Sequence, residues 1–339
     1  MDPGQLTVTS VGTATIACMA PPTLTGAARI HVEGWAPEYG APLDRDEALA
    51  PAEGSVDDAV ETSDWAPRTG QEDGIELVSF VDGVRRIDAR LAIDDPDVGP
   101  IPGICGTFAV GAVTWDRSER RSEIHAERVE RLAVMGRGRP EVFPPAELDP
   151  PYRTVASPHE DPLALIGVLH SAMRRAEGHV AGELAGDRFV VADGPLNEVA
   201  PQPVVGFIKS HRVTYLPPQR GAVVAALRRG QRTPLFTIAD YRRYSWYVRL
   251  ADLPGGHSWS GIARCEASGG LPLDDVIRIA DRTAALLSHV ASEPHLDPRA
   301  PQNLVPIGAL ERTLRHRMGD RGLVERALRA AVAQPREVA

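Results

Sequence analysis

Two apolar runs in this chain end on a carboxylate followed at once by glycine. One is Arg188-Phe189-Val190-Val191-Ala192-Asp193-Gly194-Pro195-Leu196, and the other is Ile75-Glu76-Leu77-Val78-Ser79-Phe80-Val81-Asp82-Gly83. Runs of this composition read as strands buried on both faces. An acid at the end of such a strand lies at the rim of a sheet, where α/β folds bind ligands. Two such acids brought together can hold a divalent cation. Each pair has a plainer reading as turn chemistry, since Asp-Gly is common in hairpins and Asp82-Gly83 would close one into Ile87–Ile93. A third acid favours the metal. Glu177 falls within the stripe Ile166, Leu169, Met173, Val180, Leu184, so it faces a core rather than solvent. A carboxylate there is costly unless it binds a metal or pairs with a cation, and an ion pair to an arginine is the alternative.

The elements that position these acids follow from pattern and punctuation. Strands are predicted at Ile75–Asp82, Arg85–Ile93 and Ile104–Trp115, the last two joined by the acidic turn Asp94-Asp95-Pro96-Asp97. The charged stretch Ser118–Met135 has a helical pattern, and Gly136–Tyr152 is a Pro-rich connection. Asp161 caps a helix that begins with Pro162 and carries Glu177. The Asp193 strand comes next, then Val204–Ile208 leading to Lys209, then a helix over Gln219–Arg229. Further strands are predicted at Trp246–Leu250 and Ser258–Cys265, and helices at Leu273–Val290, Pro306–Met318 and Gly322–Ala333. Residues 1–70 are rich in Pro, Gly and acids. They read as a loosely ordered arm ahead of a domain spanning 71–339.

The 339 residues, 43% hydrophobic and 24% charged, have the composition of a soluble globular protein. No apolar run has the length of a membrane span, and the first residues lack the basic start and apolar block of a secretory signal. Cys18, Cys105 and Cys265 are far apart and show no metal-ligand spacing, so they read as reduced thiols of a cytoplasmic protein. No Walker phosphate loop or dinucleotide fingerprint is present. Gly256-His257-Ser258-Trp259-Ser260-Gly261 misses the spacing of a serine nucleophile elbow and reads as a turn.

The net charge of −9 is unevenly spread. Residues 205–249 hold nine basic residues against Asp240, interleaved with Phe207, Tyr215, Phe236, Tyr241, Tyr244, Trp246 and Tyr247. Such a segment suits a surface that tracks phosphates and stacks bases, or else an arginine-rich solvated face. Lys209 is the single lysine among 37 basic residues, which marks a position where a compact point charge is retained.

Three antiparallel strands, a helix bearing an acid and a strand bearing an acid give the order of a ribonuclease H-like α/β fold, a mixed sheet flanked by helices. Within it the chain resembles the NurA nucleases over about residues 72–318. The resemblance rests on Val81-Asp82-Gly83 with Arg85-Arg86, on Val191-Ala192-Asp193-Gly194-Pro195-Leu196, on Val205-Gly206-Phe207-Ile208-Lys209, and on Pro301-Gln302-Asn303-Leu304-Val305-Pro306 leading into a helix. It implies metal ligands at Asp82, Glu177 and Asp193, with Mn2+ or Mg2+ as cofactor. It also implies 5′–3′ exonuclease and single-strand endonuclease activity on DNA in end resection and double-strand break repair, by a homodimer working with a HerA-type hexameric ATPase. Arg85, Arg86, Lys209, Arg212, Arg242 and Arg243 are the expected DNA contacts. The chain departs from the family pattern at Val84, where serine is usual, and at Val305, where a tyrosine is common, and no histidine falls two turns later. Glu311 is the expected fourth ligand, ahead of His316 and His295. A nuclease-derived subunit that binds DNA or loads the translocase without cutting is the alternative.

Overall fold

The computed structural model describes residues 30–32, 56–72, 74–139, 143–196, 201–209, 215–238, 242–253, 257–297 and 299–333. Three short strands come first, β1 (Ile30–Val32), β2 (Val56–Asp57) and β3 (Arg68–Thr69). A long hairpin follows, β4 (Leu77–Asp95) and β5 (Gly99–Asp116), continued by β6 (Arg121–Met135) and β7 (Tyr152–Ala156). Next come α1 (Pro162–Leu184), β8 (Phe189–Asp193) and β9 (Val204–Ile208). The rest comprises α2 (Pro218–Ala226), β10 (Gln231–Arg232), β11 (Phe236–Ile238), β12 (Arg243–Arg249), β13 (Ile262–Ser268), α3 (Leu273–Val290), α4 (Val305–Arg317) and α5 (Arg321–Ala333).

Thirteen strands form one mixed sheet, whose main path runs β2-β11-β12-β13-β9-β8-β4-β5-β6-β7. At its centre β4, β5 and β6 are antiparallel while β8 and β9 run parallel to β4, the mixed order expected of the fold class. Helices cover both faces. On one, Leu165, Leu169, Met173 and Val180 of α1 pack with Val81, Val110 and Val190. On the other, α3 and α4 bring Val276, Ile279, Leu310 and Leu314 to Val78, Phe80, Val191 and Phe207. Alternate residues of β4 and β8 therefore belong to different cores, as the period-2 geometry of a doubly covered strand requires.

Two sequence expectations need correction here. Asp82-Gly83 closes no hairpin, because β4 continues through it in unbroken register with β5 as far as Ile87. Its length, 19 residues or roughly 60 Å at strand rise, places Asp82 well inside the strand rather than at its end. The predicted helix over Ser118–Met135 is instead strand β6. Its Glu and Arg residues favour helix locally, but pairing with β5 along Arg121–Met135 overrides that preference. A bulge breaks the strict alternation of β6, where Val110 faces Arg128 and Ala112 faces His125, with Ala126 at φ 55°. The five expected helices other than that over Ser118–Met135 all form, whereas β7, β10 and β11 are not expected from the sequence and β13 begins four residues after the expected Ser258. Asp161 caps α1, accepting from the Ala164 backbone N–H at 2.9 Å.

The stretch 56–70, read as the last part of an arm, docks on the sheet. β2 pairs with β11 and β3 with β10. Between them Glu61 accepts two hydrogen bonds from the fully buried Arg232, at 2.9 and 3.1 Å, while Arg232 Nε donates to Asp281 of α3 at 2.7 Å. Burial alone would raise the Glu61 pKa, but the guanidinium outweighs it and the net shift is downward. Glu61→Ala strips Arg232 of its bidentate partner. Urea denaturation should show a loss of about 3 kcal/mol, whereas an arm lying outside the folded body would lose almost nothing.

Candidate metal centre

β4 and β8 run side by side with Val81 opposite Ala192, so the next residues on each, Asp82 and Asp193, emerge together. Both follow the alternation that sends Phe80 and Val191 toward α3 and α4. Over that face α4 lays Ile307, Leu310 and Leu314 into the core, and Glu311, one turn beyond Ile307, shares their burial. One carboxylate oxygen each from Asp82, Asp193 and Glu311 lies within 4.8 Å of the others. Oxygens on opposite sides of one Mg2+ or Mn2+ stand about 4.2 Å apart. Sub-ångström side-chain movement would fit the group around one ion. Three hard oxygen donors, with no sulfur or imidazole among them, suit these cations rather than zinc.

Burial is the largest cause that pushes the Asp82 carboxyl well above the usual carboxylate range, followed by the negative charges of Asp193 and Glu177. Lys209 opposes this, and Glu311 adds to it. Lys209 Nζ donates to Asp193 at 2.6 Å and to the Asn303 side-chain carbonyl at 2.9 Å. Its own burial would lower its pKa, yet Asp193 and Asp82 raise it overall, so it stays charged. Asn303 in turn donates to Asp297 at 2.6 Å. Asp297 also accepts from Arg299, whose Nη1 and Nη2 reach both oxygens of Glu311 at 3.1 and 3.0 Å. Hydrogen bonds thus connect Asp193 to Glu311 through Lys209, Asn303, Asp297 and Arg299. Burial would raise the Asp297 pKa, but its backbone and side-chain hydrogen bonds bring it down to about 2, so this link remains ionised.

Glu177 approaches Asp82 from the other side of the sheet, and its charge acts on Asp82 more strongly than that of Glu311. It rises from α1 on the opposite face and reaches the sheet at Gly83, where any Cβ would collide with its Oε1. Its Oε2 accepts from Arg174 Nη1 at 2.9 Å, and the same nitrogen donates to the Asp193 carbonyl at 2.6 Å. Arg174 thus ties Glu177, expected as a ligand, to the end of the Asp193 strand. Helical periodicity placed Glu177 in a core but could not say which side of the sheet that core lies on.

The expected DNA contacts are also largely engaged within the protein. Arg86 donates to Asp88 at 2.7 Å and to the carbonyls of Gly319 and Met318 just past α4. Arg243 donates to buried Glu266 at 2.5 Å, and Lys209 is occupied as above. Arg85 is half-buried on β4, Arg242 is exposed at the start of β12, and Arg212 lies outside the described residues. His295 pairs with Glu293 on the surface and His316 is exposed in the last turn of α4, so neither joins the carboxylates. The residues that sequence reasoning missed are Arg174, Asp297 and Arg299. Only Arg174 left a readable signal, three residues before Glu177 on one helix.

No protein-family model matches the chain, and no curated protein matches it. Among the solved structures that the chain is similar to is a nuclease. It is the NurA nuclease from Sulfolobus solfataricus, with a TM-score of 0.45 and 13% identity, over 80% of this chain and 89% of that one. The chemistry of the site is read from its own residues. Among the described residues no helix is long and apolar enough to cross a membrane.

Because the folded-state pKa of Asp82 is raised, its contribution to stability is present at acid pH and is lost as pH rises from about 4, the unfolded value, through the folded one. Asp82→Asn should therefore raise the melting temperature of the metal-free protein. The gain should grow between pH 5 and pH 8 in differential scanning fluorimetry. A melting temperature below the parent's at pH 8 would show that the carboxylate is not crowded by like charge.

Proposed function

We propose that this protein is a metal-dependent nuclease acting on DNA phosphodiesters. The observation that carries the proposal is the convergence of Asp82, Asp193 and Glu311 on one face of the sheet, two of them buried and each within 4.8 Å of the others. Negative charge gathered in this way, which Lys209 and Arg299 offset only in part, suits a dication. A divalent ion bound there would supply activation of water and neutralisation of charge on a phosphate, in a one- or two-ion arrangement. The chain itself contributes the three carboxylates, with Lys209 and Arg299 limiting their repulsion. Arg174 holds the backbone carbonyl of Asp193, so that this strand end does not shift as charge at the site changes. The proposal extends to Mn2+ as the working ion, 5′–3′ exonuclease and single-strand endonuclease action in end resection, a homodimer and a HerA-type hexameric partner. These details are supported by the motif resemblance at Asp82, Asp193 and Lys209.

Purified protein with Mn2+ should degrade linear DNA, and Asp193→Asn should lower the rate at least about a hundredfold, beyond the loss typical of removing an outer-shell partner. Circular dichroism would verify that the variant folds. A variant that cuts as fast as the parent would remove the carboxylates from the chemistry. Glu311→Gln should weaken Mn2+ binding more than Glu177→Gln does, a ranking that titration calorimetry reads directly.

A second reading is a DNA-binding or translocase-loading subunit that does not cut. It is favoured by the counter-ions already seated on Asp193 and Glu311 and by Val305 at the start of α4. It requires that no divalent ion support cleavage, so cleavage that disappears in Asp82→Ala would dismiss it.

A further inference from the structure

We infer that Arg299 is a substrate-phosphate ligand of this site, held in reserve on Glu311 until a divalent cation arrives. The inference rests on the metal-dependent nuclease reading and adds to it a residue that neither the motif resemblance nor the carboxylate group assigns.

Arg299 follows α3, in the connection to α4, and its side chain is 51% exposed, while the Glu311 side chain beneath it is 8% exposed. Two anions share the guanidinium. Asp297 takes Nε at 3.3 Å, Nη2 at 3.2 Å and the Arg299 backbone N–H at 2.8 Å. Glu311 takes Nη1 at 3.1 Å and Nη2 at 3.0 Å, through different carboxylate oxygens. Asp297 is anchored from its other side by Asn303. The backbone end of Arg299 is thus tethered, while its outer nitrogens meet the carboxylate that a cation would need.

A cation held by Asp82, Asp193 and Glu311 must take an oxygen of Glu311, and both oxygens now accept from Arg299. Sharing the carboxylate weakens the fork and turns at least one N–H toward the open side of the site. Asp297 keeps the guanidinium at the rim, so it does not leave for bulk solvent. A phosphate approaching the ion offers the same pair of acceptor oxygens that Glu311 offered, and a planar guanidinium fits such a pair bidentately. Lys209 differs, because its Asp193 and Asn303 partners hold it deeper, at 25% exposure. Arg299 is accordingly released at less cost than Lys209, and its exposure admits a polymer. Arg315, at 3.5 Å from Glu311 and 60% exposed, can keep a positive charge on that carboxylate when Arg299 turns away.

This assignment makes opposite predictions for metal and for DNA when the guanidinium is removed. In Arg299→Gln the competitor of the ion is gone, so Mn2+ should bind about two- to fivefold more tightly by calorimetry, the scale of an exposed ion pair. A fluorescein-labelled single-stranded oligonucleotide should bind more weakly. In Ca2+, used to limit cleavage, the slope of log affinity against log salt should fall by about one contact relative to the parent. In EDTA, where Arg299 remains on Glu311, parent and variant should show the same slope. Arg299→Lys should keep the charge and most of the slope in Ca2+ while losing affinity, which covers the case where the glutamine variant folds poorly. If Mn2+ binding weakens in Arg299→Gln, the arginine supports Glu311 as a positioning residue and the inference falls. An unchanged salt slope in Ca2+ overturns it too. If the parent binds no Mn2+ at all, the underlying nuclease reading has failed instead.

Discussion

Two like charges on neighbouring parallel strands are the constraint that organises this molecule. The register of β4 with β8 sets Asp82 beside Asp193 on one face of the sheet, and α4 closes Glu311 over them. Repulsion and desolvation penalise all three at once. The surrounding structure responds with cations of graded burial. Arg174 lies beneath the sheet against the Asp193 carbonyl, Lys209 sits at the strand end, and Arg299 is at the rim. Each neutralises part of the charge.

Strand β4 also acts as the ruler for the site. Asp82 lies on it, and four residues later Arg86 grips the carbonyls that end α4. Arg131 of β6 joins at Met318, and buried Asp88 ties the group together by accepting from Arg86, Thr107 and Tyr152. The helix that delivers Glu311 is therefore fixed at its C-terminal end to the same strand that carries Asp82. Arg86, expected as a phosphate contact in the motif Asp82-Gly83-Val84-Arg85-Arg86, also keeps two carboxylates in mutual register. Gly83 has an equally local reason, since only a residue without Cβ lets Glu177 come up against the strand.

The basic, aromatic segment 205–249 resolves in a similar way. Its aromatic residues mostly pack inward, with Trp246 and Tyr247 fully buried, and Arg232, Arg243 and Arg249 spend their donors on internal carboxylates and carbonyls. Interleaved charge and aromaticity there describe a sheet edge rich in buried arginine. Arginine tolerates such positions because its five donors can be satisfied by several fixed acceptors at once.

What the amino-acid sequence determined by itself was most of the central strands, the helices and the acids worth watching. Short uninterrupted apolar runs bounded by turn residues favour strands covered on both faces, a Pro after Asp161 starts a helix, and an acid within an apolar stripe must be compensated. Asp82, Asp193 and Glu311 were all legible on those grounds or through the motif resemblance. Tertiary structure alone decided which side of the sheet each acid occupies, and hence that Glu311 joins the two aspartates while Glu177 pairs with Arg174. It also decided that β4 runs straight through Asp82-Gly83 and that 121–135 is a strand. The physical reason is the same in each case. Periodicity along a chain reports that a residue is buried, but strand register and the choice of covering helix determine what it is buried against.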